Sequence, residues 1–316
     1  MRKAALLYNP DSGGRGRRQH ELESALALLR GAGVEADLVP TQSQDHAGDE
    51  TRRAVASGCD TIFACGGDGT IHNIVQVLAT TPVALAILPM GTANALAHDI
   101  GLPLRVVAAA EMAVRAVPWR IALGCVKYTN SQGNSVAKYF VIAAGVGVDA
   151  HLFYKLHSGT KQRMGMAAYY AKAWNLWFTY PMPRFAAAFL ETGSDAPRRA
   201  EVTELLSVRI RNFGGVVQEL APGASLARDD MRLVLCRSAS RFVYLGYVAR
   251  CVLRRHWAIP GVDLAYSERV SCEYLPPSAT NEQPRIYVEA DGELLGTLPV
   301  EITVVPDALT LLAPPR

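Results

Sequence analysis

An apolar run, Thr61 to Cys65, leads into Gly66-Gly67-Asp68-Gly69-Thr70, and a helix-like run, Thr70 to Leu78, leads out of it. A strand, a turn nearly without side chains and a helix start, in that order, restrict this stretch to a β-turn-α unit whose loop can lie against an anion. Glycines let the main chain approach a phosphate closely, and the first N–H groups of the helix point at it with the positive end of the dipole behind them. Asp68 is out of place beside phosphate oxygens unless a cation lies between them or its carboxylate meets a hydroxyl. The loop therefore points to a metal–nucleotide complex.

The flanking sequence repeats the unit. Lys3 to Tyr8 reads as a strand, and Arg18 to Arg30 as a helix with Leu22, Ala25, Leu26 and Leu29 on one face. Val34 to Val39 reads as a strand and His46 to Ser57 as a helix. Ala84 to Leu88 is a further strand, Pro89-Met90-Gly91 a turn, and Thr92 the expected N-cap of a helix from Ala93 to Asp99, with another helix from Val106 to Val117. This alternation predicts an α/β domain with a parallel sheet and flanking helices. Beyond Pro118 the texture changes to strand-like runs separated by Gly, Asn, Ser and Pro: Trp119 to Tyr128, Lys138 to Ala144, Arg184 to Thr192, Glu204 to Asn212, Arg232 to Cys236, Arg285 to Glu289 and Val300 to Val305. They predict a β-rich, mostly antiparallel second domain, interrupted by helices over Gly165 to Trp177 and Ser240 to Arg255. A chain of 316 residues exceeds what one core usually supports, so residues 1–117 and 118–316 are the expected domains. The strands at the far C-terminus are open to either domain.

Composition narrows the function. A net charge of +3 with 19% charged residues is too mild for wholesale nucleic-acid binding. The six cysteines show no C-x-x-C spacing and sit in apolar surroundings, which suits reduced structural thiols in a cytoplasmic protein. The basic start at Arg2-Lys3 precedes an apolar run too short for a secretory signal, and no stretch of about 18 uncharged apolar residues follows to span a bilayer.

Two further loops carry phosphate-friendly chemistry. Asn9-Pro10-Asp11-Ser12-Gly13-Gly14-Arg15 follows the first strand, and Pro89-Met90-Gly91-Thr92-Ala93-Asn94 offers a hydroxyl and a carboxamide at a helix start. In a parallel sheet such loops emerge together at the carboxyl edge of the strands, where ligands bind. No G-x-x-x-x-G-K-[ST] is present. Gly145-Val146-Gly147-Val148-Asp149-Ala150 lacks the third glycine of a dinucleotide fingerprint and lies in the strand-rich half.

Asn9-Pro10 with Ser12-Gly13, Gly66 to Thr70, Leu88 to Asn94, Gly145 to Ala150 and Asp291-Gly292-Glu293 occur together and in one order. In this the chain resembles the diacylglycerol kinase catalytic-domain family, which includes the YegS-type bacterial lipid kinases and the sphingosine and ceramide kinases. The resemblance implies a first domain like those of phosphofructokinase and NAD kinase, a β-rich second domain, and an active site in the interdomain cleft. It implies an ATP- and Mg²⁺-dependent transfer of phosphate to the hydroxyl of a diacylglycerol-like or sphingoid lipid. ATP contacts map onto Asn9, Ser12, Thr41, the loop Gly66, Gly67, Asp68, Gly69, Thr70, Ile71 and His72, and onto Thr92 and Asn94. Asp291 takes the role of general base, with Glu293 and Asp68 helping to organise the nucleotide-bound magnesium. Read without the family, Thr41 is a cap before the helix at His46, Asp291-Gly292 an ordinary hairpin turn, and His72 and His98 helix-surface residues. A separate structural magnesium site is implied at Asp230, with main-chain carbonyls of Ala227 and Arg232, although Met231 stands where a glycine is common.

The acceptor should be apolar with a hydroxyl head. Tyr169, Tyr170, Trp174, Trp177, Phe178 and Tyr180 form one aromatic segment, and Phe242, Tyr244, Leu245 and Tyr247 mix with Arg250, Arg254 and Arg255 in another. Either suits peripheral contact with the inner face of the membrane, although a buried helix face with a solvated basic end is the more ordinary reading of both. A homodimer is compatible with the sequence. Two other functions remain open: an NAD kinase or related soluble kinase, disfavoured because the Asn-Glu pair expected there has no counterpart after the glycine loop, and a catalytically silent nucleotide or lipid sensor, disfavoured by Asp68, Asp291 and Glu293.

Overall fold

The run Ala4–Leu7 is buried at every position, so the strand that contains it must be covered on both faces. In a computed structural model, which describes residues 1–10, 15–41, 46–130, 132–151, 180–215, 218–255, 257–276 and 284–315, β1 (Lys3–Tyr8) lies between β2 (Glu35–Pro40) and β3 (Thr61–Gly66), and β4 (Ala84–Pro89) lies beyond β3, all parallel. Period-2 alternation splits the buried residues between two faces. Leu6, Phe63, Cys65, Ala86 and Leu88 meet Leu22, Ala25 and Leu29 of α1 (Arg15–Gly31) and Val106, Ala109, Ala110 and Ala113 of α5 (Val106–Arg115). α2 (His46–Ala56) packs on α3 (Asp68–Leu78), which buries Ile71, Ile74, Val75 and Leu78, and these two helices contact β1, β3 and β4. Each fully buried Leu, Ile or Phe contributes about 1.5–3 kcal/mol relative to an exposed one, so this two-sided covering outweighs any single loop interaction.

The chain divides into two compact units: Met1–Leu123 with Asn212–Gly215 and Val305–Arg316, and Gly124–Arg211 with Val216–Val304. The second unit is built from antiparallel pairs. One sheet runs in the order β12 (Val262–Ser267), β11 (Met231–Cys236), β10 (Glu204–Val208), β7 (Ala143–Gly147), β14 (Tyr287–Ala290) and β15 (Glu293–Thr297). Facing it are β13 (Arg269–Tyr274), β8 (Phe185–Leu190) and β9 (Pro197–Val202), with β5 (Val117–Thr129) paired to β6 (Ser135–Phe140). Val146, Leu205, Leu233, Leu235 and Val288 from the first layer pack against Phe185, Ala187, Phe189, Val270 and Cys272 from the second. Gly145 to Ala150 thus begins on a central antiparallel strand, which is no setting for a dinucleotide turn.

β16 (Val300–Ala313) serves both units: Val300 to Thr303 pair antiparallel with β13, whereas Thr310 and Leu311 pair parallel with β4. Arg120 fastens the later part, donating to Asp307, Thr310 and the Thr81 carbonyl.

Several boundaries differ from the sequence expectation for local reasons. α3 begins at Asp68 rather than Thr70, with Gly67 as its extended N-cap. α4 (Ala95–Asp99) begins later than expected, capped by Asn94 in a left-handed conformation rather than by Thr92. The Asn94 side chain bonds both the N–H and the carbonyl of Gly91, which holds residues 91–94 as a turn. Strands β9, β12, β13 and β15 had no clear apolar signature; β9, with its exposed arginines, lies at the end of its sheet. The expected helix over Gly165 to Trp177 lies outside the described residues, as do Ser12 and Tyr169 to Phe178.

Candidate active site

In the first unit, strand register brings the loops together. Tyr8 is level with Pro40 and Cys65, and Gly66 with Pro89, so residues 9, 41, 67–70 and 90–94 all leave the same carboxyl edge. The Gly66 loop and the Gly91 loop touch through their main chains: a Cβ on Gly91 would lie 2.4 Å from the Gly67 Cα, and one on Gly66 would lie 2.3 Å from Thr70 Oγ1. The Met90 N–H also donates to the Gly66 carbonyl at 3.0 Å. Asp68 opens α3 and accepts the Ala95 N–H at 3.2 Å, so one carboxylate joins the starts of two helices. No side chain caps α3, so its first amides suit an external anion.

The other expected contacts divide by burial. Asn9 is half-buried just past β1, and Thr92 is exposed on the loop. Thr41 is buried, and both its N–H and its hydroxyl donate to the Tyr8 carbonyl, so it braces two strand ends. Ile71 belongs to the core, and His72 is buried beside Gln76, whose Nε2 lies 3.4 Å from the imidazole, so His72 is not a helix-surface residue. The Asn94 carboxamide is occupied within its own turn.

In the second unit, Asp291 and Gly292 form the two-residue turn between β14 and β15, with φ of +50° and +83°. Positive φ at both positions is what a hairpin turn of this length requires. The Asp291 carboxylate does more than the turn needs: it accepts the N–H groups of Val141, Ile142 and Ala143 at 3.0, 2.9 and 3.1 Å. Its own N–H donates to the Ala143 carbonyl at 2.8 Å. Hydrogen bonds to a charged acceptor are about twice as strong as neutral ones, and three in succession fix where this carboxylate sits. Glu289 accepts the Gly292 N–H at 2.8 Å, and Glu293 opens β15, half-buried.

Behind this turn lies a buried group of acids that sequence reasoning missed. A Cβ on Gly145 would lie 2.8 Å from Glu289 Oε1 and 3.0 Å from Asp149 Oδ2, so both carboxyls occupy the space that glycine leaves. Glu204 accepts the Asp149 N–H at 3.0 Å. Burial pushes Asp149 up to about 6 and Glu204 and Glu289 well above the usual carboxylate range, with the Asp149 charge reinforcing both. The Tyr180 and Tyr244 hydroxyls are raised by burial and by Glu204. Only the glycine alternation in Gly145 to Gly147 hinted at such a cluster.

At the expected structural metal site an arginine meets the carboxylate. Asp230 is buried, and its two carboxylate oxygens accept Arg228 Nε and Nη2 at 2.6 and 2.7 Å, with the Thr192 hydroxyl at 3.1 Å. Its carbonyl accepts Arg209 Nη1. A donor set for a hard cation would leave those oxygens to the metal. Among the described residues no group of three His, Cys, Asp or Glu is placed to hold a metal ion.

Two outcomes follow. Gly91→Ala should force the two loops apart and lower stability by about 1–3 kcal/mol, the usual cost of overpacking; an unchanged urea midpoint would show that the loops do not touch. Glu289 has a folded value above its ordinary 4.5, so the stability of its protonated form is complete below 4.5 and is lost as pH rises through the raised value. Glu289→Gln cannot ionise and keeps an acceptor for Gly292. Its stability relative to the parent should therefore grow by about 1.4 kcal/mol per pH unit across that window, read from urea unfolding at about pH 5 and about pH 8. A constant difference would refute the burial of a titrating carboxyl there.

Comparison with known proteins agrees along the whole chain. Residues 3–126 match the diacylglycerol kinase catalytic domain, and residues 106–313 match the YegS C-terminal NAD kinase beta sandwich-like domain. The chain is 27% identical over 304 residues to a diacylglycerol kinase of Bacillus subtilis, covering 95% of this chain and 93% of that protein. It is 29% identical over 313 residues to one of Mycobacterium tuberculosis, covering 99% and 95%. Among solved structures, a diacylglycerol kinase from Bacillus anthracis superimposes with a TM-score of 0.69 at 16% identity, over 99% of this chain and 97% of that one. The yeast NADH kinase shares the fold more distantly, with a TM-score of 0.50 at 10% identity over 99% and 83%. With its catalytic-domain half and its sandwich half both matched, this chain belongs to the diacylglycerol kinase family of lipid kinases.

Proposed function

We propose that this protein transfers the γ-phosphate of ATP to the hydroxyl of a diacylglycerol-like or sphingoid lipid. The observation that carries the proposal is the Asp291 carboxylate held by three consecutive main-chain amides at a hairpin tip, because a turn alone would not need it. Phosphoryl transfer to an alcohol requires a base at the acceptor hydroxyl and positive charge on the nucleotide oxygens. In the proposed step Asp291 takes the hydroxyl proton, the alcohol oxygen forms a bond to the γ-phosphorus, and the bond to the β,γ-bridging oxygen breaks to release ADP. The uncapped amides of α3, the glycine contact at Gly67 and Gly91, and exposed Thr92 bind the triphosphate. In the first unit Asp68 is the carboxylate offered to Mg²⁺, whose charge, when bound, offsets that of the phosphates.

The family supports a lipid acceptor, and α6 (Arg241–Val252) supports its presentation by a membrane. No helix among the described residues is long and apolar enough to cross a bilayer. α6 instead turns its polar groups inward: Tyr247 donates to the Leu220 carbonyl, Arg250 is buried against the Tyr247 ring, and the Tyr244 hydroxyl lies 2.8 Å from that of Thr203. Its outer face shows Phe242 (85% exposed), Leu245, Val248 and Val252, followed by Leu253 and Trp257. Exposed Arg254 and Arg255 adjoin it, and no acidic residue occurs between Met231 and Val262. Apolar side chains flanked by exposed arginines suit an anionic lipid surface.

Incubation with labelled ATP, Mg²⁺ and a mixed lipid extract should label a lipid. Labelling of NAD without lipid, or of nothing, would overturn the assignment. Asp291→Asn should lower turnover by about 10²–10⁴-fold while ATP affinity by calorimetry stays near that of the parent; equal loss of both would make its role structural. Phe242→Asp should reduce sedimentation with phosphatidylglycerol vesicles and leave ATP binding intact, whereas undiminished sedimentation would remove α6 from the membrane contact.

A further inference from the structure

The segment expected to bind a structural magnesium carries its own cation. Asp230 precedes β11 and is 6% exposed. A carboxylate so placed must find positive charge or a full set of donors, since a lone buried charge is strongly unfavourable. Arg228, two residues earlier, meets both oxygens with Nε and Nη2 in the side-on fork that matches guanidinium to carboxylate. Thr192 adds a third donor. The guanidinium is itself held from behind, with Arg228 4.0 Å and Arg232 4.1 Å from the centre of the Tyr266 ring, whose hydroxyl donates to the Gly223 carbonyl. Arg232 Nε donates to the Pro222 carbonyl at 2.9 Å, so this second arginine is anchored away from Asp230.

The arrangement continues inward. Arg209, among the largest fully buried side chains, donates to the Asp230 carbonyl. The Arg209 N–H donates to the Ile142 carbonyl at 2.9 Å, and the Ile142 N–H donates to Asp291. The site at Asp230 is therefore one peptide removed from the amides that hold the Asp291 carboxylate.

We propose that Arg228 takes the place of a divalent metal at Asp230, so that this protein builds the second unit without a structural magnesium. A planar guanidinium on a side chain two residues away occupies both oxygens that a metal would need, and it does so intramolecularly. The proposal concerns only Asp230 and is independent of any magnesium bound with nucleotide.

Thermal unfolding of the nucleotide-free protein tests it. The melting temperature should be the same in EDTA and in millimolar magnesium, and any small rise with magnesium should persist in Asp230→Asn. Arg228→Met, which removes the guanidinium from a buried carboxylate, should lower the melting temperature in EDTA by about 2–6 °C. A magnesium-dependent rise that is present in the parent and absent from Asp230→Asn would overturn the proposal, as would an Arg228→Met protein as stable in EDTA as the parent. If either variant fails to fold, manganese titration of the nucleotide-free parent decides, by relaxation of water protons and by its effect on tryptophan fluorescence near Asp230 in a Tyr266→Trp protein. A saturable quench there means a metal at Asp230, and none means the guanidinium.

Discussion

Much of this structure depends on space made by absent Cβ atoms. In the first unit, Gly67 and Gly91 let two loops meet backbone to backbone, which brings the starts of α3 and α4 close enough for one carboxylate, Asp68, to join them. In the second unit, Gly145 leaves room for Glu289 and Asp149, and a Cβ on Gly147 would lie 2.4 Å from the Thr203 carbonyl and 3.2 Å from Glu204. A methyl group at any of these positions would displace main chain or a buried carboxyl, neither of which has anywhere inexpensive to go. The glycines thus determine which polar groups can be neighbours.

The second unit deals with buried acids in two distinct ways. At Asp230 the charge is kept and matched by a guanidinium with fixed geometry. At Asp149, Glu204 and Glu289 burial raises the carboxyls, so protons lessen the charge that proximity would otherwise make prohibitive. Glu289 lies between the two kinds of chemistry, since it belongs to the raised group and also accepts the Gly292 N–H of the Asp291 turn. The turn is consequently supported from both sides, by the amides of residues 141–143 and by a carboxyl whose protonation depends on its neighbours.

The fold was legible where hydrophobic period and turn residues agreed. β1, β3, β4 and α2 fall within a residue or so of expectation because their apolar runs are bounded by glycine, proline or polar turns. β9 and β13 were not legible, since their arginines and glutamates face outward and burial of one face only becomes visible when partners are known. The Gly66–Thr70 loop was legible as a motif, and the Asp291 turn as a hairpin, whereas the role of Asp291 came only through family resemblance. The partners of Thr41, His72 and Asn94 were not legible: they are the Tyr8 carbonyl, Gln76 and Gly91, and nothing in the local sequence specifies such contacts. The pairing of Asp230 with Arg228 is close in sequence, yet a surface turn with alternating charge has the same spelling.

β16 has a consequence for how the protein is made. Its residues 305–313 supply the neighbour of β4, so the parallel sheet begun at β1 gains that neighbour only after the second unit has been synthesised. Until then β4 presents a row of unpaired main-chain groups, the kind of edge to which another chain can add itself. The nascent first unit must wait through synthesis of the whole second unit with that edge open, which places the greatest demand for protection against mispairing on the interval between the two halves of one sheet.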